Sequence, residues 1–394
     1  NPSTFSIPQV AAGKRLRNGP LSIARTYRKY RVPIPDDLAA AISRASAYFT
    51  ELELQNTTLS NSNLSTRSVP AIPEDKYDSV YLSPVTVGTN NMMLDLDTGS
   101  GDLWVFSNLM PPSLTKNNRT LYAPAYPAAI YLGLTWSTVY GDGSSASGFV
   151  YQDRVIAGNR SSTGPQAAPI VAPYQAVEAA LTASPLFVAD SSGDGVMGLG
   201  FSSLNSVSPV PKKTFFDTIK PSLKAPLFTA SLKHNAPGSW DFGFVNGSLF
   251  SGVTSGGGVV YADVDASSGW WEFNATGFAV GNAVVRTVTI DLIADTGTTL
   301  LYLPSSIVAA YYAAVPGARL NATQGGWIFP CVSPLPAFSL VIGGALQSVP
   351  GAYLNFGPSD RKGNCFGGMQ ENGGLEVAIM GDVFLKAVFV VFDG

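Results

Sequence analysis

Two copies of the tripeptide Asp-Thr-Gly are the residues of this sequence whose type and setting could do chemistry. The first copy begins at Asp97 and the second at Asp295. Each follows an apolar strand, each has a hydroxyl residue after its glycine (Ser100 and Thr298), and each leads into another apolar segment. A lone Asp-Thr-Gly is typical of an ordinary turn, because Asp and Gly are common turn residues. Two copies in matching surroundings indicate an internal repeat instead.

The repeat predicts two carboxylates that act together. The glycine of each motif permits a tight turn and a close approach to the other copy, and the hydroxyls of Ser100 and Thr298 can donate to the carboxylates. Two carboxylates about 3 Å apart cannot both ionise easily, so they share one proton. One carboxylate can then act as a base towards water while the other acts as an acid. Further along the chain, each motif is followed by two apolar residues and a glycine, at Gly198 and Gly381.

Other kinds of catalytic site find little support in the sequence. His234 is the sole histidine and has no Gly-x-Ser-x-Gly partner, which argues against serine-protease chemistry. There is no His/Cys cluster, so neither a metal nor a cofactor is expected. The glycine run at Gly256 lacks the Lys-Ser/Thr of a phosphate-binding loop.

The elements that must position the carboxylates are predicted to be β-strands. The chain has 394 residues, enough for two lobes with separate cores. Its 40 glycines, with many Ser, Thr, Val and Tyr, favour strands joined by tight turns. No apolar run reaches the roughly 18 residues of a membrane span. The two cysteines, Cys331 and Cys365, form either one disulfide or two free buried thiols.

Several features favour a secretory route. The chain begins without Met or an apolar signal core, so we expect that any signal peptide has been removed. We predict a secreted protein, with a vacuolar location left open. Seven Asn-x-Ser/Thr sequons permit N-glycosylation, at Asn56, Asn63, Asn118, Asn159, Asn246, Asn274 and Asn321.

The first 67 residues differ from the rest in charge. They carry 9 basic and 4 acidic residues, a net +5, whereas residues 68–394 carry 15 basic and 23 acidic residues, a net −8. Such a basic segment could bind nucleic acid or an anionic membrane. Binding to the acidic body is the simpler interpretation, because the opposite charge is already attached, so we expect neither a nucleic-acid nor a membrane partner. A helix is predicted to begin after Pro33, and residues 55–68 form a polar linker open to proteolysis.

From Tyr77 to Asp393 the chain resembles the pepsin-like aspartic proteases, particularly the fungal branch around penicillopepsin and aspergillopepsin. The resemblance implies a mainly β fold with two β-rich lobes, related by a pseudo-twofold, and a cleft between them. It also implies a monomer that hydrolyses polypeptides and binds pepstatin-type inhibitors. The motifs that carry it begin at Phe201 (Phe-Ser-Ser-Leu-Asn), Thr214 (Thr-Phe-Phe-Asp-Thr-Ile-Lys), Asp241 (Asp-Phe-Gly-Phe) and Ala294 (Ala-Asp-Thr-Gly-Thr-Thr-Leu).

The resemblance also assigns roles around the two motifs. Asp97 and Asp295 match the catalytic aspartates, and Ser100 and Thr298 match the residues that support them. Gly198 and Gly381 match glycines that pack behind the active loops, and Cys331 and Cys365 match a disulfide of the C-terminal lobe.

A substrate-covering flap is implied at Tyr140, Gly141 and Asp142, with Trp104 as the contact of the flap tyrosine. A plain hairpin is the alternative. In the fungal branch an acidic residue at the position of Asp142 helps the S1 pocket to accept lysine as well as large apolar residues. Phe187 and Met197 match S1-wall positions, although both could be ordinary core residues.

The basic segment resembles the prosegment of the fungal enzymes, through Ala24-Arg-Thr-Tyr-Arg followed by Lys29 and Tyr30. The resemblance implies that Lys29 sits against the two catalytic carboxylates in an inactive zymogen, whereas a solvated basic helix is the alternative. We therefore predict a prosegment and linker at 1–67, with the boundary within 55–75, an N-terminal lobe with the flap at 68–260, and a C-terminal lobe at 261–394.

The residues that non-catalytic relatives lose are present in this chain, but its C-terminal end differs from the family pattern. Some proteins of this fold bind glycosidases or peptides without cleaving them, but these generally lose a catalytic Asp or the flap tyrosine, and this chain keeps Asp97, Asp295 and Tyr140. The chain also stops at Gly394, before the short final strand that the family usually has.

Overall fold

The computed structural model of this chain describes residues 5–8, 10–11, 18–45, 80–115, 119–125, 128–139, 145–157, 169–184, 188, 193–247 and 259–394. Several predicted features lie outside these residues. They are the linker at 55–68, the flap residues Tyr140, Gly141 and Asp142, the wall residue Phe187, and the sequons at Asn56, Asn63, Asn118 and Asn159.

The described residues of the N-terminal segment form two strands and two helices. They are β1 (Phe5–Pro8), β2 (Val10–Ala11), α1 (Gly19–Lys29) and α2 (residues 36–45). Asn18 caps α1, because its side chain accepts a 3.0 Å hydrogen bond from the Leu21 amide. Pro20 suits the first turn, where a helix has no use for its amide hydrogen. The helix predicted to begin after Pro33 is confirmed by α2.

A nine-stranded sheet holds most of the first half of the body. Besides β2 it contains β3 (Tyr81–Val87), β4 (Asn90–Asp97), β5 (Leu103–Val105), β6 (Ala129–Val139), β7 (Ser145–Ala157), β8 (Ile170–Ala183), β9 (Gly195–Gly198) and β10 (Val207–Ser208). The order is β10-β6-β7-β8-β5-β9-β4-β3-β2, and a further pairing of β7 with β3 closes six strands into a ring. Along β4 the apolar side chains of Met92, Leu94 and Leu96 are buried at alternate positions, as the period of a strand requires.

The second half of the body forms two sheets. The seven-stranded sheet contains β13 (Glu272–Val280), β14 (Arg286–Ala294), β15 (Leu301–Leu303), β18 (Phe338–Ile342), β19 (Ala345–Val349), β22 (Met369–Glu371) and β23 (Ala378–Met380). Its order is β19-β18-β13-β14-β23-β15-β22. The four-stranded sheet contains β16 (Arg319–Asn321), β17 (Gly326–Pro330), β21 (Asn364–Gly367) and β20 (Asn355–Pro358), in that order.

A fourth sheet joins distant parts of the chain. It contains β1, β12 (Ser239–Phe242), β11 (Leu227–Ser231) and β24 (Val390–Asp393), in that order. Since β2 pairs with β3, the N-terminal segment extends two sheets of the body through main-chain hydrogen bonds. The other helices of the described residues are α3 (Phe215–Ile219), α4 (Ser305–Tyr312) and α5 (Asp382–Leu385), with 3₁₀ turns at Pro112–Leu114, Ser202–Leu204, Lys220–Ser222, Ala266–Ser268 and Gly351–Leu354.

The two halves repeat one arrangement of four strands. In the first half β4 is parallel to β9, β9 is antiparallel to β5, and β5 is parallel to β8. In the second half β14, β23, β15 and β22 are joined by the same three kinds of pairing. This repeat confirms the predicted mainly β fold with two related halves, while the lobe boundary at residue 260 stays a prediction.

Candidate active site

The two Asp-Thr-Gly motifs lie where equivalent strands end. Asp97 is the last residue of β4, and Asp295 directly follows β14. Both side chains are buried, with 6% of Asp97 and none of Asp295 exposed. We call residues 97–102 the Asp97 loop and residues 295–300 the Asp295 loop.

The middle threonines of the motifs bind the two loops to each other. The Thr98 amide donates to Thr296 Oγ1, and the Thr296 amide donates to Thr98 Oγ1, both at 3.0 Å. The Thr98 hydroxyl donates to the Ala294 carbonyl at 2.8 Å, and the Thr296 hydroxyl donates to the Leu96 carbonyl at 2.7 Å. Sequence reasoning assigned no role to these threonines, although their presence in both copies was the available signal.

The inner carboxylate oxygens are held symmetrically. The Gly99 amide donates to Asp97 Oδ1 at 2.8 Å, and the Gly297 amide donates to Asp295 Oδ1 at 2.9 Å. A Cβ atom at Gly99 would lie 2.5 Å from Asp295 Oδ1, so glycine is required for this approach. The predicted close approach of the two copies is therefore present.

The glycines at the ends of the apolar-apolar-Gly elements also lie behind the loops. A Cβ atom at Gly198 would lie 2.6 Å from the Ser100 carbonyl oxygen, and one at Gly381 would collide with the Thr298 and Leu300 carbonyl oxygens. These contacts agree with the packing role that the family resemblance implies for both glycines.

Lys29, at the end of α1, places its ammonium group between the two carboxylates. Its Nζ atom lies 2.6 Å from Asp97 Oδ1 and 2.7 Å from Asp295 Oδ1. Only 14% of the side chain is exposed. Because the geometry brings Lys29 to the site, the alternative of a solvated basic helix does not describe this residue.

The outer carboxylate oxygens have different donors. The Ser100 hydroxyl donates to Asp97 Oδ2 at 2.6 Å, as its predicted supporting role requires. The matching donor to Asp295 Oδ2 is the Tyr30 hydroxyl, also at 2.6 Å. Thr298 is buried beside them, and its hydroxyl approaches both Asp295 and Tyr30 without completing a hydrogen bond of normal geometry within the described residues. Tyr30 therefore supplies the donor to this oxygen, beside the approaching Thr298 hydroxyl.

These contacts move the two pKa values in opposite directions. Burial raises the pKa of Asp97, and repulsion from Asp295 adds to this, so the attraction of Lys29 is outweighed. Burial also acts to raise the pKa of Asp295, but the attraction of Lys29, the hydrogen bonds from Lys29 and Tyr30 and the approach of the Thr298 hydroxyl outweigh it and hold the pKa below its ordinary value. The pKa of Lys29 is lowered by burial but raised overall by the two carboxylates. Asp97 is thus the carboxyl group suited to keep a proton.

Two predicted substrate-contact residues can be placed. Trp104 lies in β5, is 5% exposed, and packs its ring 5.1 Å from that of Phe106 and 5.9 Å from that of Trp136. Met197 lies in β9 and is fully buried in the main core, which agrees with the ordinary-core alternative. The contacts of Trp104 with the flap and of Met197 with substrate stay predictions.

The cysteines and three sequons lie away from the carboxylates. Cys331 and Cys365 form a disulfide, which excludes the alternative of two free thiols. Asn274 is exposed on β13, and Asn246 and Asn321 are partly buried. Within the described ranges no group of His, Cys, Asp and Glu side chains could hold a metal ion. His234 packs its ring 4.5 Å from that of Tyr353. No described helix is long and apolar enough to cross a membrane.

Comparison with known proteins agrees with this geometry. The profile of the eukaryotic aspartyl protease family matches residues 80–394. Endothiapepsin of Cryphonectria parasitica is 44% identical over all of this chain and 88% of its own length. Penicillopepsin-3 of Penicillium janthinellum is 43% identical over 99% of this chain and 90% of its own length. The aspartic protease pepA of Leptosphaeria maculans is 45% identical over the same two shares.

A solved structure shares the fold. The crystal structure of the aspartic proteinase from Irpex lacteus aligns with a TM-score of 0.63 and 21% identity, covering 80% of this chain and 91% of its own. With two buried Asp-Thr-Gly carboxylates in equivalent loops and a family profile that spans the body, this chain belongs to the eukaryotic aspartyl proteases, as a pepsin-like aspartic endopeptidase of the fungal type.

Proposed function

We propose that this chain is the inactive, acid-activated precursor of a secreted endopeptidase, in which residues 1–67 are an inhibitory prosegment. The single observation that carries the proposal is the Lys29 ammonium, which lies within 2.7 Å of both carboxylates. A water that attacks a peptide bond would have to lie where this ammonium lies. The prosegment therefore blocks the chemistry itself as well as the approach of a substrate.

The chemistry of the freed site follows from the two carboxylates. Aspartic proteases are known to use two aspartates that share one proton. With Lys29 gone, the ionised carboxylate takes a proton from the water as the water attacks the peptide carbonyl, and the protonated one donates to that carbonyl.

Acid release follows from the same charges. Lys29 acts to lower the pKa of both aspartates, so each would bind its proton more tightly in the absence of this ammonium group. The stabilisation that Lys29 provides is therefore present near neutral pH and is lost as pH falls through the pKa values of the bound state. Other acidic groups of the body lose charge as well, which weakens their attraction for the +5 segment. We assign the maturation cut to residues 55–75.

The remaining assignments extend the family resemblance. The endopeptidase prefers large apolar P1 residues, and Asp142 lets it accept lysine. It is a monomer inhibited by pepstatin-type compounds, and it is secreted, with the vacuole as the alternative. The disulfide and the exposed sequon at Asn274 are compatible with an oxidising secretory route.

The test is the pH dependence of self-trimming by the full chain. Lys29→Ala should convert at a higher pH than the wild type, because the carboxylates no longer stabilise an ammonium group. Arg44→Ala is the matched control, since Arg44 donates to the Thr323 carbonyl at 2.9 Å, far from the carboxylates, and its loss also removes one positive charge. N-terminal sequencing across a pH series would follow both variants. Equal conversion profiles for wild type and Lys29→Ala would contradict the inhibitory role of Lys29.

A further inference from the structure

Beside the Asp97 loop lies a buried polar cluster that the repeat does not require. It consists of Asp102 at the end of the loop, Glu178 in β8 and Asn205 after the 3₁₀ turn at Ser202–Leu204. Their side chains are 8%, 0% and 7% exposed. The Asn205 amide Nδ2 donates to Asp102 Oδ1 at 3.0 Å and to Glu178 Oε1 at 2.8 Å, so one side chain links both carboxyl groups.

The cluster is joined directly to the backbone of the Asp97 loop. Asn205 Nδ2 also contacts the Gly101 carbonyl at 3.1 Å. The Asp102 carbonyl accepts from the Gly198 amide at 2.8 Å, and the Asp97 carbonyl accepts from the Leu199 amide at 2.7 Å. A change in the protonation of the cluster would therefore affect the position of the Asp97 loop through these hydrogen bonds.

The Asp295 loop is supported differently at the same positions. Leu300 is its fifth residue after the aspartate, as Asp102 is in the Asp97 loop, and it is fully buried. Gln370 pairs with Tyr302 in β15 in the register in which Glu178 pairs with Trp104 in β5. The ionisable side chains of Asp102 and Glu178 in the first half thus correspond to an apolar side chain, Leu300, and an uncharged polar one, Gln370, in the second half.

Gln370 shows what a neutral side chain achieves in this position. Its Oε1 accepts from the Trp327 amide at 2.8 Å, and its Nε2 donates to the Gly367 carbonyl at 2.8 Å. Both ends of the amide are used without any proton being added or lost. The support of the Asp295 loop therefore does not depend on pH at this point.

Glu178 cannot be satisfied in the same way while it is ionised. No donor completes a hydrogen bond of normal geometry to its buried Oε2 within the described residues, although the Leu103 amide approaches. The Asp102 carboxyl is within hydrogen-bonding reach. Two ionised carboxylates in this position would repel each other, whereas one proton between them creates a donor and removes one charge.

The charges around the pair are few. Asp97, in the same loop, repels a second negative charge, and Arg31, from the segment after α1, attracts one. Asp217 lies near the Ser202 hydroxyl, which donates to it, and is paired with Lys220 at 3.1 Å. Lys212 contributes its amide to Asn205 Oδ1, while its ammonium lies over the Tyr131 ring. No basic side chain is bonded to either carboxyl group among the contacts of the described residues.

We propose that Asp102 and Glu178 share a proton that positions the Asp97 loop, and that the loss of this proton at higher pH disables the enzyme. Both are positioning residues, because they act through Asn205 and the loop backbone without touching the reacting atoms. The proposal needs only the aspartic endopeptidase activity and does not rest on the inhibitory role of Lys29.

The direction of the pH dependence follows from the cluster. Burial raises the pKa of Asp102 to about 6, despite hydrogen bonds from Ser206, and burial together with the Asp102 charge raises the pKa of Glu178 well above its ordinary value. A carboxyl group whose pKa is raised by folding stabilises the fold fully below its unfolded pKa and loses that contribution as pH rises through the folded pKa. The protonated pair therefore stabilises the position of the Asp97 loop in acid, and this stabilisation is lost from about pH 6 upwards.

The main test uses Glu178→Gln, which gives the first half the side chain that the second half already has. The full chain is exposed to acid, held at graded pH between about 4 and 8, and returned to acid for a peptide-cleavage assay. We expect activity in acid to be kept and the midpoint of inactivation to rise by about one pH unit. Glu376→Gln, at an exposed position of the second half, is the control that should not move it. An unchanged midpoint in Glu178→Gln, or a uniform loss of activity at every pH, would overturn the proposal.

A second measurement decides the matter if Glu178→Gln does not fold. Infrared spectroscopy of the full chain can detect a protonated carboxyl group directly, and Asp97→Asn removes the contribution of Asp97 and prevents self-trimming. We expect a protonated-carboxyl band that persists above pH 5 and is lost above about pH 6, with the native pair intact. Absence of the band at pH 5 would show that the pair is ionised there and would overturn the proposal.

Discussion

The Asp97 loop and the Asp295 loop have the same backbone arrangement, but several of the side chains around their carboxylates differ. Their threonines cross-bond symmetrically, and their glycine amides hold the inner oxygens at 2.8 and 2.9 Å. The outer oxygens, however, receive hydrogen bonds from Ser100 in one half and from Tyr30 of the N-terminal segment in the other. Behind the loops, Asp102 corresponds to Leu300. The backbone therefore places two carboxylates, and the unequal surroundings give them unequal pKa values.

The largest expected effect tests the part that the halves share. Asp97→Asn and Asp295→Asn should each lower kcat/KM for a peptide by about 10²–10⁴-fold or more, because each removes one partner of the acid/base pair. Asp291→Asn is the matched control, since this exposed aspartate lies four residues before Asp295 on β14. Steady-state cleavage assays in acid, with circular dichroism to check the fold, would measure this. Near-normal cleavage by either variant would show that the halves are not chemically equivalent.

A smaller effect should separate the two supporting hydroxyls. In the full chain near neutral pH, Ser100→Ala should lower the free energy of unfolding by about 1–2 kcal/mol, because the Ser100 hydroxyl donates to a carboxylate. Thr298→Val should lower it by less than Ser100→Ala does, because the Thr298 hydroxyl approaches Asp295 without completing a hydrogen bond of normal geometry. Urea titration of both variants measures the difference. If both substitutions lower the free energy of unfolding equally, the different hydrogen bonding of the two outer oxygens does not affect stability.

The smallest effect concerns Tyr30. Its hydroxyl is one of the groups that hold the pKa of Asp295 down, so Tyr30→Phe should raise that pKa and let the N-terminal segment leave at a pH higher by roughly a few tenths of a unit. Tyr27→Phe is the matched control, because Tyr27 lies on the same helix and its hydroxyl bonds to the Gly374 backbone, away from the carboxylates. The pH of half-maximal conversion reports the shift. The same shift in both variants would mean that any loosening of the segment suffices.

Much of the site could be predicted from sequence, because its reactive residues lie in short motifs of consecutive residues. A repeated Asp-Thr-Gly, with apolar strands on either side, located Asp97 and Asp295, and the run that ends in Lys29 and Tyr30 located the segment whose ammonium group lies between them. The prediction of Thr298 as a support for Asp295 was made from the repeat and from the family resemblance, and the structure adds Tyr30 as the donor to the outer oxygen. Symmetry in sequence does not show which of two nearby hydroxyls reaches a carboxylate.

Other features were missed because they join residues far apart in the chain. The cross-bonds between Thr98 and Thr296 connect positions 198 residues apart, and only the meeting of β4 and β14 brings them together. The pairing of β1 with β12 likewise depends on which sheet edge is open, a property of the folded body. Strands as short as β2 carry too few residues for a reliable pattern.

By itself, the sequence determined the chemistry and the fold class of this protein. It showed two carboxylates in repeated turns, a β-rich chain of two related halves, and a basic N-terminal segment opposite in charge to the acidic body. Only the tertiary structure decided which proton donors surround each carboxylate, whether Lys29 is solvated or lies between them, and that Asp102 faces Glu178. The physical reason is that side-chain types and turns are local properties. Burial, charge separation and the pKa values that follow are set by distances of a few ångströms between residues that are remote in the chain.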